Sequence, residues 1–247
     1  MKYLIVPDVH EKYGRAQRIL DEYGPNVDKI LFLGDYFDSF EYPRNGVVFQ
    51  EHLAWMKTLF DDPKIIGLLG NHDTHYFATS METANQYRCS EYNHGKHNQI
   101  QIDLGLDFWK KLEFLHFIES EDKSEKILFT HGGLHQNFLT PSFKFDQKHF
   151  SKLNSNIKEK FALGTVDNFL NAGRSRGGSQ NFGGITWLDF NREFAPIDEL
   201  TQIVGHTADI TIRKKGNNWC LDTHLEHVMI LDTISGAKDV IHAYQLI

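Results

Sequence analysis

Blocks of apolar residues alternate with amphipathic stretches in the first third of the chain, which predicts β-α-β-α-β units. Three almost continuously apolar runs predict strands: residues 2–7, 29–34 and 64–70. The two stretches between them, residues 15–24 and 47–60, have the apolar spacing of helices. Because the strand runs lack polar alternation, we expect parallel strands that are covered on both faces.

The remainder of the chain is richer in short β-like runs. We predict a helix near residues 105–116, a strand at 126–133 and a helix around 152–172. Five short β-like runs follow: residues 202–207, 209–214, 218–223, 227–233 and 239–247. This order predicts an α/β fold in which two mixed β-sheets pack as a sandwich flanked by helices. We expect one domain over residues 1–247, since no linker or repeat is visible.

Composition and charge limit which kind of protein this is and which partners it is expected to bind. The chain has 247 residues, 40% of them hydrophobic, so it is predicted to be globular. No window approaches the roughly 18 apolar residues that span a bilayer, so no membrane partner is expected. Two cysteines do not make a disulfide framework, which favours a reducing cytoplasm. A formal charge of −7 disfavours nucleic acid as a partner, and an anionic substrate would need bound metals or a few arginines.

Polar side chains follow nearly every predicted strand at its carboxyl end, where open α/β sheets bind ligands. They are Asp8 and His10, Asp35 and Asp38, Asn71 and His72, His131, and His206. Asp8 and His10 are two residues apart, so an extended segment would present both on one face. Gly34 and Gly70 directly precede donors, where tight turns and close approach are easiest.

The donor types predict a pair of divalent cations. Carboxylate, imidazole and carboxamide without thiolate suit Mn, Fe or Zn. Six donors are too many for one catalytic ion with an open position, but enough for two ions that share a carboxylate. Two ions about 3.5–4 Å apart catalyse displacement at phosphorus, because they make hydroxide available near neutral pH and neutralise phosphoryl oxygens. Such a site would be positive within an acidic protein.

Five ordered blocks resemble those of the calcineurin-like metallophosphoesterase superfamily: "DVH", "GDYFD", "GNHD", "THGGL" and "GHT". "THGGL", and "VGHT" followed by "CLDT", are most similar to the phosphoprotein-phosphatase branch with its small bacterial and phage members. The resemblance implies a four-layer αββα sandwich and metal-dependent hydrolysis of phosphate esters.

The resemblance also implies residue roles. Asp8, His10 and Asp35 would hold the first ion, and Asp35 would bridge to a second. Asn71, His131 and His206 would complete that second site. His72 would be the general acid that protonates the leaving group, and Asp38 would orient its imidazole.

Two departures from the family pattern affect the substrate. Ser39-Phe40 stands where eukaryote-type protein phosphatases have Arg-Gly, so one phosphate-binding arginine is missing or comes from elsewhere. We expect Arg176 in the Gly-rich region to replace it, with Arg174 as second choice. Ala208 stands where many nucleases of the superfamily have a second histidine, which counts against that branch.

We therefore expect a phosphatase for monoesters, either phosphoproteins or small molecules, with Mn as the preferred metal and Fe or Zn open. The alternatives are a phosphodiesterase or dinucleoside-polyphosphate hydrolase, and a non-catalytic scaffold of the same fold. We interpret Cys89 and Cys220 as small structural hydrophobes. His75 is expected to have no catalytic role, and His224 to border the site.

Overall fold

A computed structural model describes residues 1–40, 46–78, 81–105, 107–165 and 167–243 of the chain. The first sheet has five strands in the order β10-β9-β1-β2-β3. Its strands are β1 (Lys2–Val6), β2 (Lys29–Phe32), β3 (Ile65–Gly67), β9 (His227–Asp232) and β10 (Lys238–His242). The first three strands along the chain are parallel, as predicted, and β9 and β10 add antiparallel neighbours.

The second sheet also has five strands, in the order β4-β5-β6-β8-β7. They are β4 (Leu115–Glu119), β5 (Lys126–Thr130), β6 (Thr201–Val204), β7 (Arg213–Lys215) and β8 (Asn218–Cys220). Strands β5, β6 and β8 are parallel, whereas β4 and β7 pair antiparallel at the two edges. Both sheets are therefore mixed, and the predicted α/β sandwich is confirmed.

Six α-helices accompany the sheets within the described residues. They are α1 (Tyr13–Tyr23), α2 (Gly46–Leu59), α3 (Asn71–Phe77), α4 (Met81–Gln86), α5 (His94–Asp103) and α6 (Gln147–Ala162). Helix α1 buries Ala16, Ile19 and Leu20, which recur at helical spacing. Helix α6 begins after Asp146, whose carboxylate accepts a hydrogen bond from His149 N. No helix of the described ranges is long and apolar enough to cross a membrane.

The core lies on both faces of the parallel strands. Ile5 and Leu31 belong to a buried cluster that also contains Phe129 of the second sheet, so this cluster joins the two sheets. Their neighbours Leu4 and Phe32 point the other way, into the cluster that includes the helices. This double coverage explains the continuously apolar strand sequences. The shared core supports one domain over residues 1–247, which stays a prediction.

The predicted helix at 105–116 is wrong. Phe108–Lys111 forms only a short 3₁₀ helix, and Leu115–Glu119 is strand β4, paired with β5. The apolar spacing fits a helix, but the sheet partner overrides this local preference. Helix α5 was missed because only Ile100 on it is buried; its signal is the Asn93 cap, which accepts from Gly95 N and Lys96 N.

Other predicted boundaries moved as well. The helix predicted at 152–172 is α6, which starts and ends earlier, and a separate 3₁₀ turn covers Asn168–Leu170. The run predicted to end at residue 247 is β10, and residues 244–247 lie outside the described part. After β3, the residues Leu68–Gly70 lead into helix α3, so Asn71 and His72 lie in the first turn of a helix.

Candidate functional site

Tight turns follow the carboxyl ends of β1, β2 and β6. His10, Asp35 and His206 have positive φ angles of 45°, 52° and 65°, and Gly34 has a φ of 107°. L-residues seldom adopt this region, and residues that do so tend to cluster at functional sites. His10 donates its backbone N–H to Asp35 O over 2.8 Å, which ties two of these turns together. His10 consequently lies in a turn, so the extended conformation that we expected over Asp8–His10 does not hold at His10.

A first cluster of possible metal ligands contains Asp8, His10 and Asp35. One ligand atom from each lies within 4.8 Å of the others. His10 Nδ1 lies 2.9 Å from Phe37 O, and His10 Nε2 lies 3.7 Å from Asp35 Oδ2. The backbone N–H of His206 donates to both oxygens of Asp8, at 3.1 and 3.0 Å. The carboxylate and imidazole are therefore fixed before any ion binds.

A second cluster contains Asp35, His131 and His206, again with ligand atoms within 4.8 Å of one another. His131 Nδ1 lies 2.9 Å from Leu33 O, while its Nε2 lies 3.2 Å from Asp35 Oδ2 and 3.0 Å from Asn71 Oδ1. His206 Nε2 is buried with no hydrogen-bond partner in the described part of the chain. Asp35 belongs to both clusters, which is the arrangement that two cations sharing a carboxylate require.

Two glycines allow these carboxylates to approach the backbone. A Cβ on Gly70 would lie 2.0 Å from Asp35 Oδ1, and a Cβ on Gly205 would lie 2.1 Å from Asp8 Oδ1. Neither distance is physically possible, so only glycine fits at these positions. The glycines of "GNH" and "GHT" thus provide space for ligand side chains.

The ligand groups have opposed pKa shifts because buried charges crowd together. Burial, reinforced by the nearby Asp222 carboxylate, raises the pKa of Asp8 well above its usual value. Burial would also raise the pKa of Asp35, but the imidazoles of His131 and His72 outweigh it and lower that pKa. Burial opposes charge on His131, yet Asp35 and Asp8 raise its pKa to about 10. A buried carboxylate cluster of this kind is stabilised by added positive charge.

A hydrogen-bond network fixes His72 beside the two clusters. Its Nδ1 lies 2.9 Å from Asp38 Oδ2, and its backbone N–H donates to Asp35 Oδ1 over 2.9 Å. The Tyr76 hydroxyl donates to the other Asp38 oxygen over 2.5 Å, and His75 Nε2 lies 3.2 Å from Oδ2. Burial opposes ionisation of Asp38, but the bond from His72 lowers its pKa to about 2. The Asp35 and Asp38 charges outweigh burial and raise the pKa of His72.

These groups open onto one cavity of about 520 Å³. Its lining includes six residues that the sequence indicated: His10, Asp35, Asn71, His72, Arg176 and His206. The buried side chains of Asp8, Asp38 and His131 lie among these groups and are bonded to them. Another cavity, of about 510 Å³, lies between β4 and α6 and contains none of the predicted site residues.

The Arg176 guanidinium is already engaged by protein groups. Its Nε lies 2.9 Å from Asp189 Oδ2, and its Nη2 donates to Thr207 Oγ1 over 3.2 Å. Arg174 is not among the described residues that line the cavity. Arg176 as the phosphate-binding arginine therefore stays a prediction, and its charge is partly offset by a carboxylate.

Several residues of the cavity wall were not predicted as site residues. They are Arg88, Cys89, Trp187 and Asp222, alongside His224, which was expected at the border. Asn71 Nδ2 donates to Cys89 Sγ over 3.2 Å, so this cysteine contacts a predicted ligand as well as filling space. Asp222 could have been found as the acidic residue of "CLDT". Arg88 lies in no recognisable motif, so the sequence gives no signal for it.

Comparison with known proteins agrees with these features. The model of the calcineurin-like phosphoesterase family matches residues 1–209. No curated protein is matched by the sequence. A hypothetical protein from Pyrococcus horikoshii has a similar structure with a TM-score of 0.53 at 9% identity, covering 98% of this chain and 87% of that one. At such low identity the likeness concerns the fold alone.

Two further solved structures are similar over most of their length. A protein serine/threonine phosphatase from Saccharomyces cerevisiae, with similarity to human phosphatase PP5, is 14% identical; the match covers 98% of this chain and 80% of that one, with a TM-score of 0.49. A metallophosphoesterase from Sphaerobacter thermophilus is 15% identical, with 94% and 84% coverage and a TM-score of 0.42.

Proposed function

Because the chain belongs to the calcineurin-like phosphoesterase family and is a metallophosphoesterase, we propose that it hydrolyses phosphate monoesters with two bound divalent cations, preferably Mn²⁺. The substrate would be a phosphoprotein or a small-molecule phosphoester. The observation that carries this proposal is the position of Asp35, which is shared by both ligand clusters and bonded to His72 N at the cavity. We expect the whole chain to act as one domain in a reducing cytoplasm, in line with its two free, buried cysteines.

The described residues fit two cations. Asp8, His10 and Asp35 would hold the first, and Asp35, Asn71, His131 and His206 the second. Their oxygen and imidazole donors suit Mn²⁺, Fe or Zn²⁺. The buried His206 Nε2 has no hydrogen-bond partner among the described residues, so its lone pair is available for a cation. When bound, the cations supply Lewis-acid chemistry, which lowers the pKa of water and neutralises phosphoryl oxygens.

His72 is the proposed proton donor to the leaving group. Asp38 engages Nδ1, so the ring presents Nε2 as its free nitrogen, and the residue lines the cavity. The Asp38 carboxylate fixes the orientation of the ring and stabilises the imidazolium form. In hydrolysis, His72 Nε2 would give its proton to the ester oxygen as the P–O bond breaks, so that an alcohol rather than an alkoxide leaves.

Arg176 is the proposed phosphate-binding residue, and it lines the same cavity as His72. Asp189 and Thr207 hold its guanidinium in place, which leaves further N–H donors for an anion. The monoester preference is supported by Ala208, which lines the cavity where a nuclease-type relative would have an additional ligand.

Hydrolysis assays on paired substrates test the proposal. The protein loaded with Mn²⁺ is given para-nitrophenyl phosphate and bis-para-nitrophenyl phosphate, and kcat/KM is compared. Faster cleavage of the monoester is expected. Faster cleavage of the diester would favour a phosphodiesterase or a dinucleoside-polyphosphate hydrolase. No metal-dependent turnover of either ester, in a protein that binds two Mn²⁺, would favour a scaffold.

A further inference from the structure

Residues 87–93 form a segment that crosses the rim of the cavity and is anchored to the site at several points. Cys89 Sγ receives a bond from Asn71 Nδ2, and the Cys89 backbone N–H donates to His75 Nδ1 over 3.2 Å. Farther along, Asn93 N donates to the Tyr76 hydroxyl over 3.2 Å. The segment is therefore held by the same residues that surround the second ligand cluster and Asp38.

Arg88 extends from this anchored segment as an exposed cation that lines the cavity. Its guanidinium carbon lies 4.6 Å from the centre of the Tyr92 ring, and that ring stacks on Tyr76 at 5.4 Å. Within the described ranges no carboxylate forms an ion pair with Arg88, unlike Arg176, which is paired with Asp189. An arginine supported on an aromatic face keeps its charge and its N–H donors for a ligand.

The family pattern leaves a need for such a group, because Ser39 and Phe40 occupy the places of the arginine and the glycine that follow the second block in eukaryote-type protein phosphatases. The Phe40 side chain is 58% exposed beside the site, with its ring centre 5.8 Å from that of His72. Neither the Ser39 hydroxyl, which is uncharged and buried, nor the Phe40 ring can bind a phosphoryl oxygen through a charged hydrogen bond. Arg88 is the cavity-lining cation whose charge no described carboxylate offsets.

We propose that Arg88 binds a non-bridging oxygen of the substrate phosphate and thereby favours monoesters over diesters. This inference rests on the proposed phosphatase function and adds a phosphate-binding residue to it. A monoester dianion carries two charges and presents three non-bridging oxygens, whereas a diester carries one charge and presents two. A guanidinium at the rim therefore attracts the monoester more strongly and can bind it through two parallel hydrogen bonds.

The test compares Arg88→Gln and Arg88→Lys with Arg18→Gln. Arg18 is an exposed arginine on α1 that does not line the cavity, so its replacement removes the same charge elsewhere. For each Mn²⁺-loaded protein, kcat/KM is measured on para-nitrophenyl phosphate and on the bis ester, and the Kd of inorganic phosphate is measured by calorimetry. Thermal unfolding and the number of bound Mn²⁺ ions report whether fold and metal site are intact.

We expect Arg88→Gln to lower kcat/KM for the monoester by roughly 10- to 100-fold and to weaken phosphate binding by a similar factor. The loss for the diester should be smaller, Arg88→Lys should retain part of the activity, and Arg18→Gln should match the parent protein. Equal losses on both esters, or unchanged phosphate binding in both Arg88 variants, would overturn the inference. If the parent protein cleaves neither ester, the proposed function fails instead, whereas phosphate binding still tests Arg88.

Discussion

Replacing Gly205 by Ala tests whether the position of the Asp8 carboxylate determines metal binding. The new Cβ would lie 2.1 Å from Asp8 Oδ1, whereas carbon and oxygen normally approach to about 3.3 Å. One of the two groups must therefore move by about 1.2 Å. The backbone of Gly205 is fixed, since its N–H donates to His131 O over 2.8 Å and its carbonyl accepts from Thr207 N. The displacement then falls mainly on Asp8.

The size of this displacement sets the expected effect. Metal–ligand distances tolerate changes of about 0.2 Å, and a misplacement of about 1 Å in an active site can cost roughly 100-fold in rate. We expect Gly205→Ala to lose at least that factor in kcat/KM on para-nitrophenyl phosphate and to bind Mn²⁺ more weakly. Overpacking should also lower the free energy of unfolding by about 1–3 kcal/mol.

The assay combines Mn²⁺ titration calorimetry, steady-state hydrolysis and urea unfolding. Gly14→Ala is the matched control, because a Cβ on Gly14 meets no atom within 4 Å and the residue lies in helix α1. That substitution should leave metal binding and turnover unchanged and add about 0.5–1 kcal/mol of stability. A Gly205→Ala protein with parental Mn²⁺ affinity and turnover would refute the assignment of Asp8 as a ligand held in place by this close approach.

Three further predictions follow from other parts of the structure. His72→Asn should lower kcat on alkyl phosphates by roughly 100- to 10,000-fold, and on para-nitrophenyl phosphate by much less, because the nitrophenolate leaves without a proton. If the variant still binds two Mn²⁺, equal losses of kcat on both substrates would argue against His72 as the general acid. Burial lowers the pKa of His52 to about 3. Because the unfolded chain protonates near pH 6.5, stability should be lost as the pH falls from about 6.5 toward 3, by about 2 kcal/mol at pH 5. His52→Phe, surrounded by Phe37 and Trp55, should remove that loss in urea unfolding at pH 5 relative to pH 7.5, and an unchanged difference between the two pH values would contradict the buried neutral state. Removal of metal by EDTA should lower Tm and abolish turnover, and added Mn²⁺ should restore both. A ligand at 100 times its Kd stabilises the folded state by about 2.7 kcal/mol, so an unchanged Tm would count against a metal site formed by the folded chain.

The sequence alone was sufficient for the three parallel strands of the first sheet and for the polar residues at their ends. Continuous apolar runs marked β1, β2 and β3, and the physics of parallel sheets brings their carboxyl ends to one edge. The polar residues that follow these runs therefore had to be neighbours, whatever the details of the turns. The family resemblance supplied the roles of the individual side chains, which remain to be tested by mutation.

Only the tertiary structure decided the geometry and the rim of the site. The strand pairing of Leu115–Glu119 overrode a helical pattern, and positive φ angles replaced the extended segment expected at His10. Asp8 is bonded to His206, 198 residues away, and the positions of the Asp8 and Asp35 carboxylates depend on glycines distant in sequence. Arg88 lies on the cavity because Cys89 contacts Asn71. Such contacts cannot be predicted from local sequence, because they arise where segments that are distant along the chain pack against each other.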